Sequence, residues 1–158
     1  MPERKPIVVA VPGERPVVVS HLVLDFNGTL AQDGNLLPGV AARLRKLSRR
    51  LRIVVATADT FGKARSALKG LPVDVEIVET GQEKLRLLKR LGPSHVVAIG
   101  NGRNDVPMMQ KAALGIAVIG PEGAAGELVP VADVLVHDIR DALDLLLKPL
   151  RLKATYRR

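Results

Sequence analysis

The feature that most constrains this chain is a short apolar run that recurs along its length, with a helix-like stretch between successive copies. HLVL (21–24), RIVVAT (52–57), HVVAIG (95–100), GIAVIG (115–120) and DVLVH (133–137) are near-continuous runs, and VDVEIV (73–78) alternates like a strand. Between them lie helical patterns. GVAARLRKLSRR follows Pro38 and places Val40, Leu44 and Leu47 on one face. FGKARSALKG (61–70) stops at Gly70, and QEKLRLLKRLG (82–92), with Leu85 and Leu88, stops at Gly92-Pro93. DVPMMQKAA (105–113) carries Pro107 in its first turn, and IRDALDLLL (139–147) closes the series. Strands buried on both faces read as continuous apolar runs, and parallel strands need helical crossovers. The pattern predicts an α/β fold: a three-layer α/β/α sandwich with a mainly parallel sheet.

The 158 residues suit one domain. IVVAV (7–11) and PVVVS (16–20) flank PGER and predict an extended or hairpin segment within residues 1–20; residues 148–158, ending RLKATYRR, read as a basic, frayed tail. EGAAGELV reads as a surface loop with a short helix. Apolar residues make up 47% of the chain but aromatics only 2%, so aliphatic side chains must form the core. The aromatic shortage argues against base stacking on nucleic acid, although the net charge of +8 leaves an anionic partner open. There is no cysteine, which excludes disulfides, thiolate metal sites and thiol catalysis. No signal peptide or membrane-length apolar stretch is visible, so a cytoplasmic protein is expected.

In open parallel sheets, ligands bind beyond the carboxyl ends of the strands. The residues there are Asp25-Phe26-Asn27-Gly28-Thr29, Thr57-Ala58-Asp59-Thr60 and Asn101-Gly102-Arg103-Asn104-Asp105. Lys84, early in a helix, is placed to reach the same rim. Singly, each has a plainer reading. Asn27-Gly28 could be a hairpin turn, Thr57, Asp59 or Thr60 a helix cap, Lys84 a solvated charge, and Asp105 a favourable acid at a helix start. His21, His95 and His137 are scattered without metal-ligand spacing and read as structural.

Together, DFNGTL, the VVAT stretch, Lys84 and GNGRND resemble the four motifs of the haloacid dehalogenase (HAD) superfamily, in their usual order. The likeness covers roughly residues 21 to 147. From Lys84 through GNGRNDVPMMQKAALGIAV to ADVLV it is similar to the phosphorylation domain of P-type ATPases. The resemblance implies a Rossmann-like HAD fold without a cap domain and a phosphohydrolase acting through an aspartyl-phosphate. Asp25 would be the nucleophile. Thr57 and Lys84, with Gly28 and Ala58, would bind the phosphoryl group, and Lys84 would balance its charge. Mg²⁺ would lie among the Asp25 side chain, the Asn27 carbonyl and the fourth motif, Asn101 and Asp105. The substrate would be a phosphorylated small molecule or exposed phosphate. Nucleotide-binding and membrane regions have no counterpart among these motifs, so ion pumping is not expected.

Two positions depart from the pattern. HAD phosphatases usually carry an aspartate two residues after the nucleophile, where it protonates the leaving group and then activates water. Here the residue is Asn27, and an amide cannot do this. The first acid of the fourth motif is Asn101, which brings oxygen without charge. The expectation is slow turnover and weak metal binding, with Asp59 a candidate replacement acid. The alternative is a catalytically impaired HAD-fold protein that binds a phosphorylated ligand or a protein partner. A capless site also suits closure by a neighbouring copy, through the N-terminal segment.

Overall fold

The computed structural model describes residues 3–60 and 62–157. The expected helix start at Phe61, the tail's final Arg158, and Met1 and Pro2 lie outside the described residues. Six strands form one sheet: β3 (His21–Leu24), β6 (Arg52–Thr57), β7 (Asp74–Ile77), β8 (Val96–Gly100), β9 (Leu114–Val118) and β10 (Val134–Val136). Their spatial order is β10-β9-β8-β3-β6-β7, and every pairing is parallel.

Alternation along each strand sends side chains to opposite faces. Leu22, Leu24, Ile53, Val55, Val97 and Ile99 join one apolar cluster with helices α1 (Val40–Leu47), α2 (Lys63–Ala67) and α5 (Ile139–Leu147). Val23, Val54, Ala56, Val96 and Ala98 join a second with α3 (Gly81–Leu91) and α4 (Val106–Lys111). The three layers expected from the sequence are therefore present. On the first face, Arg43 of α1 grips Asp144 of α5 with two hydrogen bonds of 2.9 and 3.1 Å.

Two parts differ from expectation. The basic end is not frayed: Pro149–Tyr156 forms helix α6, which packs on β1 and buries Leu152 completely. Pro149 starts this helix, where a missing N–H costs nothing. The N-terminal segment is a hairpin, β1 (Ile7–Val9) paired antiparallel with β2 (Val17–Val19), and Ile7, Val9, Val11 and Val19 are spent on this chain's own core. The stretch between Asp25 and α1 also holds regular structure that the sequence pattern does not show. A second small hairpin, β4 (Ala31–Gln32) and β5 (Asn35–Leu36), turns at Asp33-Gly34. The last helix expected before β7 shrinks to α2, and EGAAGELV yields one 3-10 turn at Gly126–Leu128.

The chain leaves β3 toward β6 on one side and later leaves β8 toward β9 on the other. The crevice between the ends of β3 and β8 is thus the switch point at which open sheets bind ligands.

Candidate active site at the β3 and β8 strand ends

Asp25 follows β3 at this crevice, and its N–H continues the ladder by donating to the Ile99 carbonyl at 3.0 Å. The chain then tightens. The Phe26 carbonyl accepts from the amides of Thr29, Leu30 and Ala31. Gly28 is held at φ +76°, and a Cβ there would collide with Asn101 Nδ2. Glycine is required twice over, by conformation and by contact.

Lys84 reaches the crevice from α3. Thr80 and Glu83 form a reciprocal capping box at that helix's N-terminus. The cap sets the rotation that puts Lys84 on the buried face with Leu87 and Leu88. Its ammonium lies 3.0 Å from Asp25 Oδ1 and 2.8 Å from Asp105 Oδ1, and the residue is only 1% exposed. Burial alone would lower the Lys84 pKa, but Asp25 and Asp105 outweigh it and the net shift is upward. For Asp25, burial followed by repulsion from Asp105 prevails over Lys84 and raises the carboxyl to about 6.

Asp105 is fully engaged. Its Oδ1 holds Lys84, while its Oδ2 accepts from the amides of Asn101 and Gly102 at 3.1 and 3.0 Å. This carboxylate fixes both the cation and the loop after β8.

Asn101 lies opposite Asp25. Its Nδ2 donates to the Gly123 carbonyl at 3.1 Å, which turns Oδ1 toward Thr29. The fully buried Thr29 hydroxyl lies 3.2 Å from Asn101 Oδ1 and 3.4 Å from Asp25 Oδ2. One hydroxyl proton thus faces two acceptor oxygens and satisfies one at a time. Thr29 stands four residues after Asp25 within DFNGTL, among the rim residues of the sequence, where neither its position nor the family likeness marks it for a role.

Thr57 ends β6 and is buried. Its hydroxyl accepts from the Asp59 amide at 3.2 Å and keeps its proton to donate. Asp59 is a cap, not a spare acid: its two oxygens take the amides of Ala64 and Arg65 at 2.7 and 3.2 Å. Asn27 and Ala58 line a neighbouring cleft of about 390 Å³, together with Phe26, Asp33, Lys63 and Glu122. His21 and His95 sit at the opposite ends of the strands. There His95 Nδ1 donates to the Val18 carbonyl and joins the N-terminal hairpin to the sheet.

The donor set suits a hard cation. Asp25 Oδ2 and Asn101 Oδ1 converge with too few protons between them, and both are oxygens. Among the described residues, no group of three or more His, Asp or Glu is placed to hold a metal. A cation here would rest on one carboxylate and neutral oxygens.

The family model for haloacid dehalogenase-like hydrolases matches residues 4–113, and the chain belongs to that family. Among curated proteins, an uncharacterised protein of Methanocaldococcus jannaschii is 49% identical over 78 residues, 47% of this chain and 84% of that one. A phosphoglycolate phosphatase of Methanopyrus kandleri is 41% identical over 61 residues, 37% of this chain and 25% of that protein. The ATP-binding subunit of a potassium-transporting ATPase from Deinococcus radiodurans is 31% identical over 111 residues, covering 68% of this chain and 16% of that subunit. The fold matches 3-deoxy-D-manno-octulosonate 8-phosphate phosphatase from Moraxella catarrhalis, solved with magnesium, phosphate and sugar, at TM-score 0.67 and 18% identity over 87% of this chain and 91% of that one. The cobalt-bound deoxy-D-mannose-octulosonate 8-phosphate phosphatase of Haemophilus influenzae aligns at TM-score 0.70 and 13% identity, over 89% of this chain and 94% of that one. No described helix is long and apolar enough to cross a membrane.

Proposed function

We propose that this protein is a magnesium-dependent phosphohydrolase that works through an aspartyl-phosphate on Asp25. The observation that carries the reading is the buried Asp25–Lys84–Asp105 arrangement at the switch point of the sheet. A structural ion pair has no need of that location, whereas a nucleophile does.

In this reading Lys84 holds the Asp25 carboxylate in one orientation through Oδ1 and compensates charge when a phosphate dianion enters. Asp105 keeps Lys84 in place. The Thr57 hydroxyl and the backbone around Gly28 and Ala58 receive the phosphoryl oxygens. Asp25 Oδ2, the Asn27 carbonyl and Asn101 Oδ1 would hold Mg²⁺, with Asp105 supporting that side through the Asn101 amide. The bound ion would supply charge neutralisation for the transferring group. An oxygen of Asp25 attacks phosphorus in line, and the leaving oxygen departs with its electron pair. The substrate is a phosphorylated small molecule or an exposed phosphate group. Turnover is slow because Asn27 can neither give nor take a proton, and general acid–base catalysis typically contributes about 10²–10⁴-fold.

Incubation with acetyl phosphate and Mg²⁺, with Asp25→Ala in parallel, tests the reading. An Asp25-dependent mass increase or phosphate release is expected. Metal-dependent release that survives in Asp25→Ala would sink it. The second reading, a phosphate-binding protein without turnover, is favoured by the paired amides Asn27 and Asn101. Calorimetric phosphate binding without any release would select it.

A further inference from the structure

Hydrolysis of an aspartyl-phosphate needs a base to take the proton of the attacking water, and Asn27 is not one. Three carboxylates line the cleft that Asn27 faces: Asp33, Asp59 and Glu122. Asp59 is consumed by the α2 amides. Asp33 sits at the tip of the β4–β5 hairpin, where the stem of Lys63 crosses the adjacent Gly34, with Cδ 2.6 Å from where a Gly34 Cβ would stand. Lys63 and Asp33 line that cleft and the next one together.

Glu122 differs from Asp59 in being uncommitted, and from Asp33 in the bracing of its loop. It has no hydrogen-bond or ion-pair partner among the described residues, and its loop is tied to the site at three points. The Gly123 carbonyl accepts from Asn101 Nδ2 at 3.1 Å, and the Ala125 amide donates to the Asn101 carbonyl at 2.8 Å. A Cβ on Gly120 would lie 3.4 Å from the Gly28 carbonyl oxygen, so the loop rests on the nucleophile turn. The turn itself is closed by the Gly123 amide on the Gly120 carbonyl at 3.0 Å. An uncommitted carboxylate is thus carried on a braced loop into the cleft of Asn27.

We propose that Glu122 is the general base for hydrolysis of the Asp25 phosphoenzyme, doing from the loop after β9 what residue 27 cannot. The proposal rests on the aspartyl-phosphate reading above. Glu122 takes one proton from a water in the cleft. The water oxygen bonds to phosphorus as the bond from phosphorus to the Asp25 oxygen breaks. That electron pair returns to Asp25 as carboxylate, inorganic phosphate leaves, and Glu122 gives its proton to solvent.

The test is rapid-quench kinetics with acetyl phosphate and Mg²⁺ on the full chain. In Glu122→Gln, phosphorylation of Asp25 keeps its rate while dephosphorylation falls by about 10²-fold, so the adduct accumulates on intact mass. Asp33→Asn does not accumulate it, and adding Asn27→Asp to Glu122→Gln restores release. Glu122 is exposed, so its variant is expected to keep the wild-type melting temperature. Asp25-dependent release that is unchanged in Glu122→Gln, or accumulation in Asp33→Asn instead, overturns the assignment of Glu122 alone. No Asp25-dependent release or adduct in the wild type overturns the phosphoenzyme reading and this one with it.

Discussion

Lys84 Nζ lies 2.8 Å from Asp105 Oδ1, where both side chains are withdrawn from solvent. Removing one member of a buried pair strands the other, at a typical cost of about 3–5 kcal/mol. Lys84→Met and Asp105→Asn are each expected to lose stability in that range by urea denaturation. The double variant is expected to lose less than the sum, because neither charge is then orphaned by the other's loss. Additive losses would show that the pair is not coupled as the geometry requires.

Thr29 divides one proton between Asp25 Oδ2 and Asn101 Oδ1. Thr29→Val removes that donor from a buried position, a loss typically worth about 1–3 kcal/mol. The metal-free variant should unfold at lower denaturant than the wild type. Mg²⁺ should stabilise the variant more than it stabilises the wild type, since the ion relieves the two facing oxygens. Equal Mg²⁺ shifts in thermal denaturation would argue against a cation between those oxygens.

The sheet and the Asp25–Lys84–Asp105 cluster were legible because buried parallel strands leave long apolar runs, and the polar residues that follow them must meet at one edge. Thr29 was not legible, since a threonine in a turn ordinarily serves the backbone. The β4–β5 hairpin was hidden by its two-residue strands, too short to show a period, although Asp33 and Gly34 at φ 52° and 80° form the left-handed pair that Asp-Gly favours. Helix α6 was masked by its charges: Arg151, Lys153 and Arg157 surround the buried Leu152, and a lone apolar anchor gives no amphipathic stripe.

Asn27 lines the cleft beside the nucleophile but carries no exchangeable proton of suitable acidity. Asn27→Asp restores a carboxyl of nearly equal size. On a Glu122→Gln background, where no other base serves the water, it is expected to speed phosphoenzyme hydrolysis by about 10²-fold, at the lower end of what general acid–base groups contribute. Steady-state phosphate release, with circular dichroism to verify the fold, gives the readout. An unchanged or lower rate in folded protein would refute this account of the position.

At the other end of the sheet, burial lowers the pKa of His21, and the charges of Arg52, His95 and Arg4 add to the effect. His21 Nδ1 also lies 3.0 Å from Ser20 Oγ. The fold therefore prefers the neutral ring, and below the ordinary value of about 6.5 the unfolded chain binds more protons. His21 imposes no such loss above that value, and stability falls as pH drops below it. Urea midpoints at pH 7.5 and pH 5.0 should differ less in His21→Gln than in the wild type. An identical difference in the two proteins would remove His21 from the explanation.

Leu152 is fully buried, whereas Leu150 on the same helix is 77% exposed. If α6 is part of the folded unit, the two leucines must respond differently. Leu152→Ala opens a cavity against the apolar cluster and is expected to cost about 2–5 kcal/mol. Leu150→Ala should stay within about 0.5 kcal/mol. Chemical denaturation of both variants separates a docked helix from a loose tail, since a tail would leave both near zero. The β1–β2 hairpin packs on the same helix, so its amides should lose hydrogen-exchange protection in Leu152→Ala before those of β3 and β8 do.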